Sequence, residues 1–169
     1  QRQMCIRDRS DNAPTDVQTV IHTAATVKHF GSYEYFRSVN AEGTQNVINY
    51  ASRIGAELIH ISTISVSGNS LADEFAVYRS EELKNFYETS LFIGQPLDNV
   101  YVRSKFEAEV EVLEAIRKGL NAKIIRIGNL TNRLSDSRFQ PNYKSNAFLT
   151  RFKAALDLGM VPDYLLPIY

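Results

Sequence analysis

The sequence predicts an α/β fold built on a doubly wound parallel sheet, and three observations carry that prediction. Short apolar runs recur at residues 17–23, 58–61 and 123–127. Segments with apolar residues at three- and four-residue steps alternate with those runs. Small and hydroxyl-bearing residues collect directly after each run, at Ala24 and Ala25, at Ser62 and Thr63, and at Gly128 and Asn129. Strands that read as continuous apolar runs and alternate with helices belong in a parallel sheet covered on both faces and joined by crossovers. Ligands of such sheets sit beyond the carboxyl ends of the strands, where these small and polar residues lie.

Each element has its own signal. Val17 to Thr23 forms a buried strand that meets a tight loop at Ala24 and Ala25. From about Tyr33 the period becomes helical, with Val39, Gly43, Val47, Ile48 and Ala51 on one face, and Gly55 supplies the stop. Leu58 to Ile61 is the second strand, closed by Ser62, Thr63 and Gly68. Residues 69–99 show no sustained period and exceed an ordinary connection in length, which marks them as functional or irregular. A strong helical pattern then runs from Val100 to about Lys118 and ends at Gly119. The third strand follows at 123–127, residues 128–145 are loop-rich, and 146–158 form a helix closed by Gly159 and Pro162.

Composition limits the function. A chain of 169 residues with 44% hydrophobic content supports one globular core. Nineteen basic residues balance nineteen acidic ones, so no global field argues for nucleic acid. No run approaches the roughly 18 apolar residues of a membrane span, and no secretory pattern opens the chain, so a soluble cytoplasmic protein is the expectation. Residues 1–9 lack periodicity, and Met4-Cys5-Ile6-Arg7-Asp8-Arg9 resembles one reading frame of an adapter used in DNA library preparation. They are set aside as a non-native leader. Cys5, the single cysteine, goes with them, leaving no disulfide, thiolate nucleophile or thiolate metal site. His22, His29 and His60 have no carboxylate or thiolate spacing beside them, so no metal site is expected.

The chemistry concentrates in the helix that opens at Val100. Tyr101 and Lys105 lie four residues apart on one face and can act on the same atom. A phenol with a reference pKa of about 10 is a poor acid-base group near neutrality, and a neighbouring ammonium favours its ionised form. In that reading the lysine tunes and the tyrosine transfers the proton. The spacing alone is weak, since chance supplies about 0.4 such pairs in a chain of this composition. Thr63, at the end of the preceding strand, strengthens it by offering a hydroxyl that could fix a carbonyl oxygen, although Ser62 and Ser65 compete for that role.

Four ordered motifs resemble the signatures of extended short-chain dehydrogenase/reductases: His22-Thr23-Ala24-Ala25, Val39-Asn40-Ala41-Glu42-Gly43-Thr44, Ile61-Ser62-Thr63-Ile64-Ser65-Val66, and Tyr101 with Lys105. The stretch from Arg126 to Arg133, followed by Phe139-Gln140-Pro141-Asn142 and Ser145-Asn146-Ala147-Phe148, is similar to the thioester reductase branch, which releases carrier-bound acyl chains. The resemblance implies a three-layer Rossmann-type sheet over residues 10–169, a partial NAD(P)-binding reductase domain. It also implies that Thr63, Tyr101 and Lys105 form the catalytic set, with Asn40 supporting a proton relay behind Lys105. Lys105 would hold the nicotinamide ribose, Ala24 and Ala25 would line the cofactor, and Gly128 and Asn129 would pass beside the nicotinamide. The family leans to NADPH, with NADH as the other option. The partner would be an acyl thioester on a phosphopantetheinyl carrier domain.

The family's Gly-rich turn, which receives the pyrophosphate at a helix N-terminus, is not among these residues, and neither is the residue that chooses between NAD and NADP. The 169 residues by themselves are therefore expected to show little or no turnover. Six acids against Arg79 and Lys84 make residues 70–99 acidic, the pattern of a lid, while five bases against Asp136 make residues 133–153 basic. Carrier docking near Arg133, Arg138, Lys144, Arg151 and Lys153 competes with the plainer reading of these charges as solvated faces.

A sugar-nucleotide epimerase or dehydratase would use the same tyrosine and lysine on the same fold. Ser67 argues against it, because those relatives commonly carry tyrosine before the glycine that is Gly68 here. A dinucleotide-binding sensor without turnover is a third reading, disfavoured by the intact Tyr101 and Lys105.

Overall fold

A computed structural model describes residues 13–28, 30–68, 86–141 and 143–160. The leader 1–9, His29 and most of the acidic excursion lie outside the described residues. The chain falls into two compact units divided between Arg126 and Ile127.

In the first unit the strands are β1 (Thr19–His22) and β2 (Glu57–Thr63), with β3 (Ala122–Ile127) completing the sheet in the order β1-β2-β3. β1 and β2 pair in parallel, Thr19 opposite Glu57 and His22 opposite His60. Between them run α1 (Tyr33–Phe36), a π-helical turn (Arg37–Glu42) and α2 (Gly43–Ile54). A 3-10 turn (Ile64–Ser67) follows β2, and α3 (Val100–Arg117) leads into β3. The expected β-α-β, excursion, α-β order is present, with β1 trimmed to four residues. Its pairing still extends one residue outward, where the Gln18 carbonyl accepts from the Glu57 N–H.

Burial explains the period. Val47, Ile48 and Ala51 of α2 meet Leu58 of β2 and Val112 and Ala115 of α3 in one core cluster, with Val20 and Ile124 packed against it. Each fully buried aliphatic side chain there contributes roughly 1.5–3 kcal/mol. Gly55 ends α2 in the left-handed region at φ 70°, its N–H returning to the Ala51 and Ser52 carbonyls. Among the described residues of this unit the helices cover one face of the sheet. On the other face Ile21 and Ile125 are 63% and 44% exposed, so the both-face covering expected from the apolar runs is seen on one side.

The helix expected from Tyr33 to Arg53 is interrupted by the π turn around Asn40, where the Thr44 hydroxyl donates to the Asn40 carbonyl at 2.6 Å. Such turns gather at functional sites.

In the second unit a 3-10 turn (Tyr143–Ser145) precedes α4 (Ala147–Leu158), capped by the Asn146 side chain on the Leu149 N–H and closed by Gly159 at φ 61°. No helix among the described residues is long and apolar enough to cross a membrane.

Candidate active site

Thr63 is the last residue of β2 and the N-cap of the turn behind it. Its hydroxyl accepts the Ser65 N–H at 3.1 Å and is 8% exposed. On the facing helix, Asn99 caps α3 by accepting the N–H groups of Tyr101 and Val102 at 3.0 and 3.2 Å. That cap fixes the first turn of α3 and so the root of the Tyr101 side chain. Thr63 lies near enough to the Tyr101 phenol to act on its pKa. Of the three hydroxyls that competed in the sequence, Thr63 is the one that acts on the Tyr101 pKa. Ser62 turns to Glu109 at 2.5 Å, and the Ser65 hydroxyl lies 3.1 Å from that of Thr63.

Burial raises the Tyr101 pKa above its ordinary value, opposed by Thr63. The tuning thus differs from the lysine-driven lowering anticipated from the spacing. The phenol is protonated at neutral pH, the form that can donate.

Lys105 is 4% exposed. Its ammonium donates to the Ile61 carbonyl at 2.8 Å and lies 3.4 Å from His60 Nε2. Burial pushes its pKa down to about 8, with Glu109 acting in the opposite sense. The His60 and His22 rings lie 5.3 Å apart and tilted by 44°, and burial followed by the Lys105 charge lowers them to about 3 and about 4, so both rings are neutral. His22 Nε2 meets the Thr44 hydroxyl at 3.0 Å, whereas His60 Nδ1 is buried without a partner.

Asn40 is 1% exposed and joins three elements. Its side chain accepts the Thr26 N–H at 2.8 Å and donates to the Thr26 carbonyl at 3.1 Å and the Ser104 hydroxyl at 2.9 Å. Ser104 in turn donates to the Tyr101 carbonyl at 2.9 Å. These bonds run to the β1 loop and to α3 beside Lys105, rather than to the ammonium. Ala24 is exposed and Ala25 half-buried in the loop that Asn40 pins. Gly128 and Asn129 follow β3 in the second unit and are exposed there.

Asn40 thus holds a small-walled loop at Thr26 and reaches α3 beside a buried ammonium that lies four residues from a phenol. The sequence profile of the male sterility protein family, an NAD-binding family, matches residues 7–166. The chain belongs to that family. Within it the chain falls in the thioester reductase branch of the extended short-chain dehydrogenase/reductases. It is 28% identical over 164 residues to the L-2-aminoadipate reductase large subunit of Candida glabrata, covering 92% of this chain and 11% of that one. Among solved structures it resembles a thiolation-reductase di-domain from an archaeal non-ribosomal peptide synthetase, with a TM-score of 0.74 and 41% identity over 91% of this chain and 40% of that one. The aureusimine biosynthetic cluster reductase domain follows at TM-score 0.69 and 33% identity, covering 87% of this chain and 37% of that one. A UDP-glucuronic acid 4-epimerase from Bacillus cereus, at 20% identity and TM-score 0.54, shares the fold alone.

Sequence reasoning missed four residues around this candidate site. Asn99 was readable as a helix cap, and Glu109 lay one turn beyond Lys105 on the same face. Gln95 and Arg126 gave no local signal, because their partners are distant in the chain. In the second unit, Arg133 binds Asp136 through two bonds of 2.8 and 2.7 Å, Arg138 lies 3.6 Å from the same carboxylate, and Lys153 pairs with Asp157. These pairs weaken the basic field anticipated for carrier docking.

Proposed function

We propose that the chain forms the catalytic half of an NADPH-dependent reductase that releases an acyl group from a phosphopantetheinyl carrier as an aldehyde or, after a second reduction, an alcohol. The observation that carries this reading is a buried Thr63 at the end of β2 near the protonated Tyr101 phenol, one helical turn from the buried Lys105. The nicotinamide, when bound, supplies the hydride for the thioester carbonyl carbon. Thr63 and Tyr101 would receive the carbonyl oxygen between them. As negative charge builds on that oxygen, the phenol transfers its proton; burial keeps the phenol protonated until then, and Thr63, which acts against that rise in pKa, favours the phenolate left behind. The hemithioacetal so formed breaks its C–S bond: the electron pair leaves on the carrier sulfur, the hydroxyl proton returns to the Tyr101 phenolate, and the aldehyde and the carrier thiolate, which takes a proton from water, remain. Lys105, with one N–H on the Ile61 carbonyl, would turn another toward a ribose hydroxyl. Asn40, by holding both backbone groups of Thr26, would keep the Ala24 and Ala25 edge open for the dinucleotide.

The preference for NADPH over NADH rests on the family resemblance. The test is the complete reductase domain given NADPH with either an acyl-pantetheine thioester or a UDP-sugar. Aldehyde or alcohol and free thiol from the first, with the second unchanged, is the expected result. Conversion of the UDP-sugar alone would transfer the site to the epimerase reading, which the same tyrosine and lysine could serve.

A further inference from the structure

Arg126 of β3 has a side chain only 14% exposed, and its planar fork is used on two sides. Toward α3 its Nη2 binds Glu109 Oε2 at 2.7 Å, while its Nε lies 3.0 and 3.2 Å from the two carboxylate oxygens. Toward the end of the long excursion it donates to the Ser90 carbonyl at 2.7 Å and to the Tyr87 and Glu88 carbonyls at 3.3 and 3.4 Å. Its guanidinium carbon sits 4.9 Å from the centroid of the Phe86 ring. Five donors in a rigid fork suit this task, and an ammonium could not span it. Glu109 is fully buried and also accepts the hydroxyl of Ser62, the neighbour of Thr63.

The segment anchored at Arg126 then packs on α3 and on the turn that follows Thr63. Phe92 meets Phe106 of α3 edge-on at 6.0 Å. Gln95, 3% exposed, donates to the Val66 and Leu91 carbonyls at 3.0 and 2.8 Å and accepts the Ile93 N–H at 2.8 Å. The Pro96 carbonyl lies against Gly68, where a Cβ would come within 2.8 Å of it. Asn99 finally caps the helix that carries Tyr101. Residues 86–98 thus bridge the turn behind Thr63 and the start of α3.

We propose that residues 86–98 form a fixed wall beside the reacting carbonyl, and that Arg126, held by Glu109, is the positioning residue that sets this wall for the acyl group. The inference rests on the reading of Thr63 and Tyr101 as the carbonyl-binding pair. Thr63 is held by the Ser65 N–H and the start of α3 by the Asn99 cap, so a displaced wall alters the fit of the acyl chain before it alters proton transfer. Its signature is therefore in KM rather than kcat.

Arg126→Lys in the complete reductase keeps a cation for Glu109 and loses the reach to three carbonyls. The acyl-thioester KM should rise about tenfold with kcat within about twofold. The NADPH Kd should hold, and amide exchange at residues 87–95 should quicken by about tenfold while α2 keeps its protection. Gln95→Leu, which cuts the second anchor and leaves Arg126 alone, should reproduce the KM rise. A loss confined to kcat, or unchanged exchange at residues 87–95, overturns the proposal. If Arg126→Lys does not fold, Arg126→Gln combined with Glu109→Gln leaves the pair neutral and is judged on the same readouts. A wild type that binds NADPH and reduces no thioester refutes the proposed function. The placement of the segment by Arg126 is then decided by exchange alone, quickened exchange supporting it and unchanged exchange overturning it.

Discussion

Replacing Lys105 with methionine should remove a specific alkaline dependence of folding stability. Lys105 is 4% exposed, and burial lowers its pKa from 10.5 to about 8. Among the described residues the groups that act on it are Glu109 from α3, His60 and the Ile61 carbonyl from β2, and His22 from β1, with both histidines neutral above about pH 4. Below about pH 8 the folded and unfolded chains both carry the ammonium, and the folded one bears the cost of burying it. Between about pH 8 and 10.5 the unfolded chain holds a proton that the folded chain has released, so stability rises with pH across that window. A shift from 10.5 to about 8 corresponds to about 3 kcal/mol. Other groups titrate in the same range, so the informative quantity is the difference between wild type and Lys105→Met, measured by urea unfolding of the complete domain. That difference should move by about 3 kcal/mol in favour of wild type as pH rises through the window. A change below about 1 kcal/mol would refute the claim that the ammonium is buried at a net cost.

The acid limb should depend on the histidines. His60 has its folded pKa lowered from 6.5 to about 3, so its share of stability is present above about pH 6.5 and is lost as pH falls toward 3. Wild type should lose on the order of 5 kcal/mol more than His60→Leu across that range in acid titrations followed by circular dichroism. Asn40→Ala strands both backbone groups of Thr26 and should cost about 2–3 kcal/mol. It should also weaken NADPH binding in a fluorescence titration, and an unchanged Kd would show that the Thr26 loop does not shape the cofactor edge. Gly68 sits at φ 61° with the Pro96 carbonyl in the path of a Cβ, so Gly68→Ala should lower stability by about 1–3 kcal/mol, read from a thermal melt.

The parts of the molecule that follow a local period were legible in the sequence. Val47, Ile48 and Ala51 gave the buried face of α2, Gly55 and Gly159 gave helix ends, and the polar residues after each apolar run gave the working edge of the sheet. Thr63, Tyr101 and Lys105 could be named because spacing and chain order carry them. The π turn at Asn40 was hidden, since it depends on an amide reaching Thr26, 14 residues earlier in the chain, and Ser104, 64 residues later. The direction of the Tyr101 shift was hidden for a related reason. Spacing puts the lysine on the same face, but it does not tell that the ammonium turns to the Ile61 carbonyl while burial dominates the phenol. Arg126 read as one charge in an apolar strand, and only the fold brings it to Glu109 and to the carbonyls of residues 87, 88 and 90.

The central claim is that the Tyr101 phenol protonates the oxygen of a reduced thioester. The most direct measurement follows NADPH absorbance in the complete reductase with an acyl-pantetheine thioester, for wild type and Tyr101→Phe, with cofactor affinity measured alongside. The account predicts that kcat falls by about 10²–10⁴ in Tyr101→Phe while the NADPH Kd holds. Turnover by Tyr101→Phe within a few-fold of wild type would contradict it.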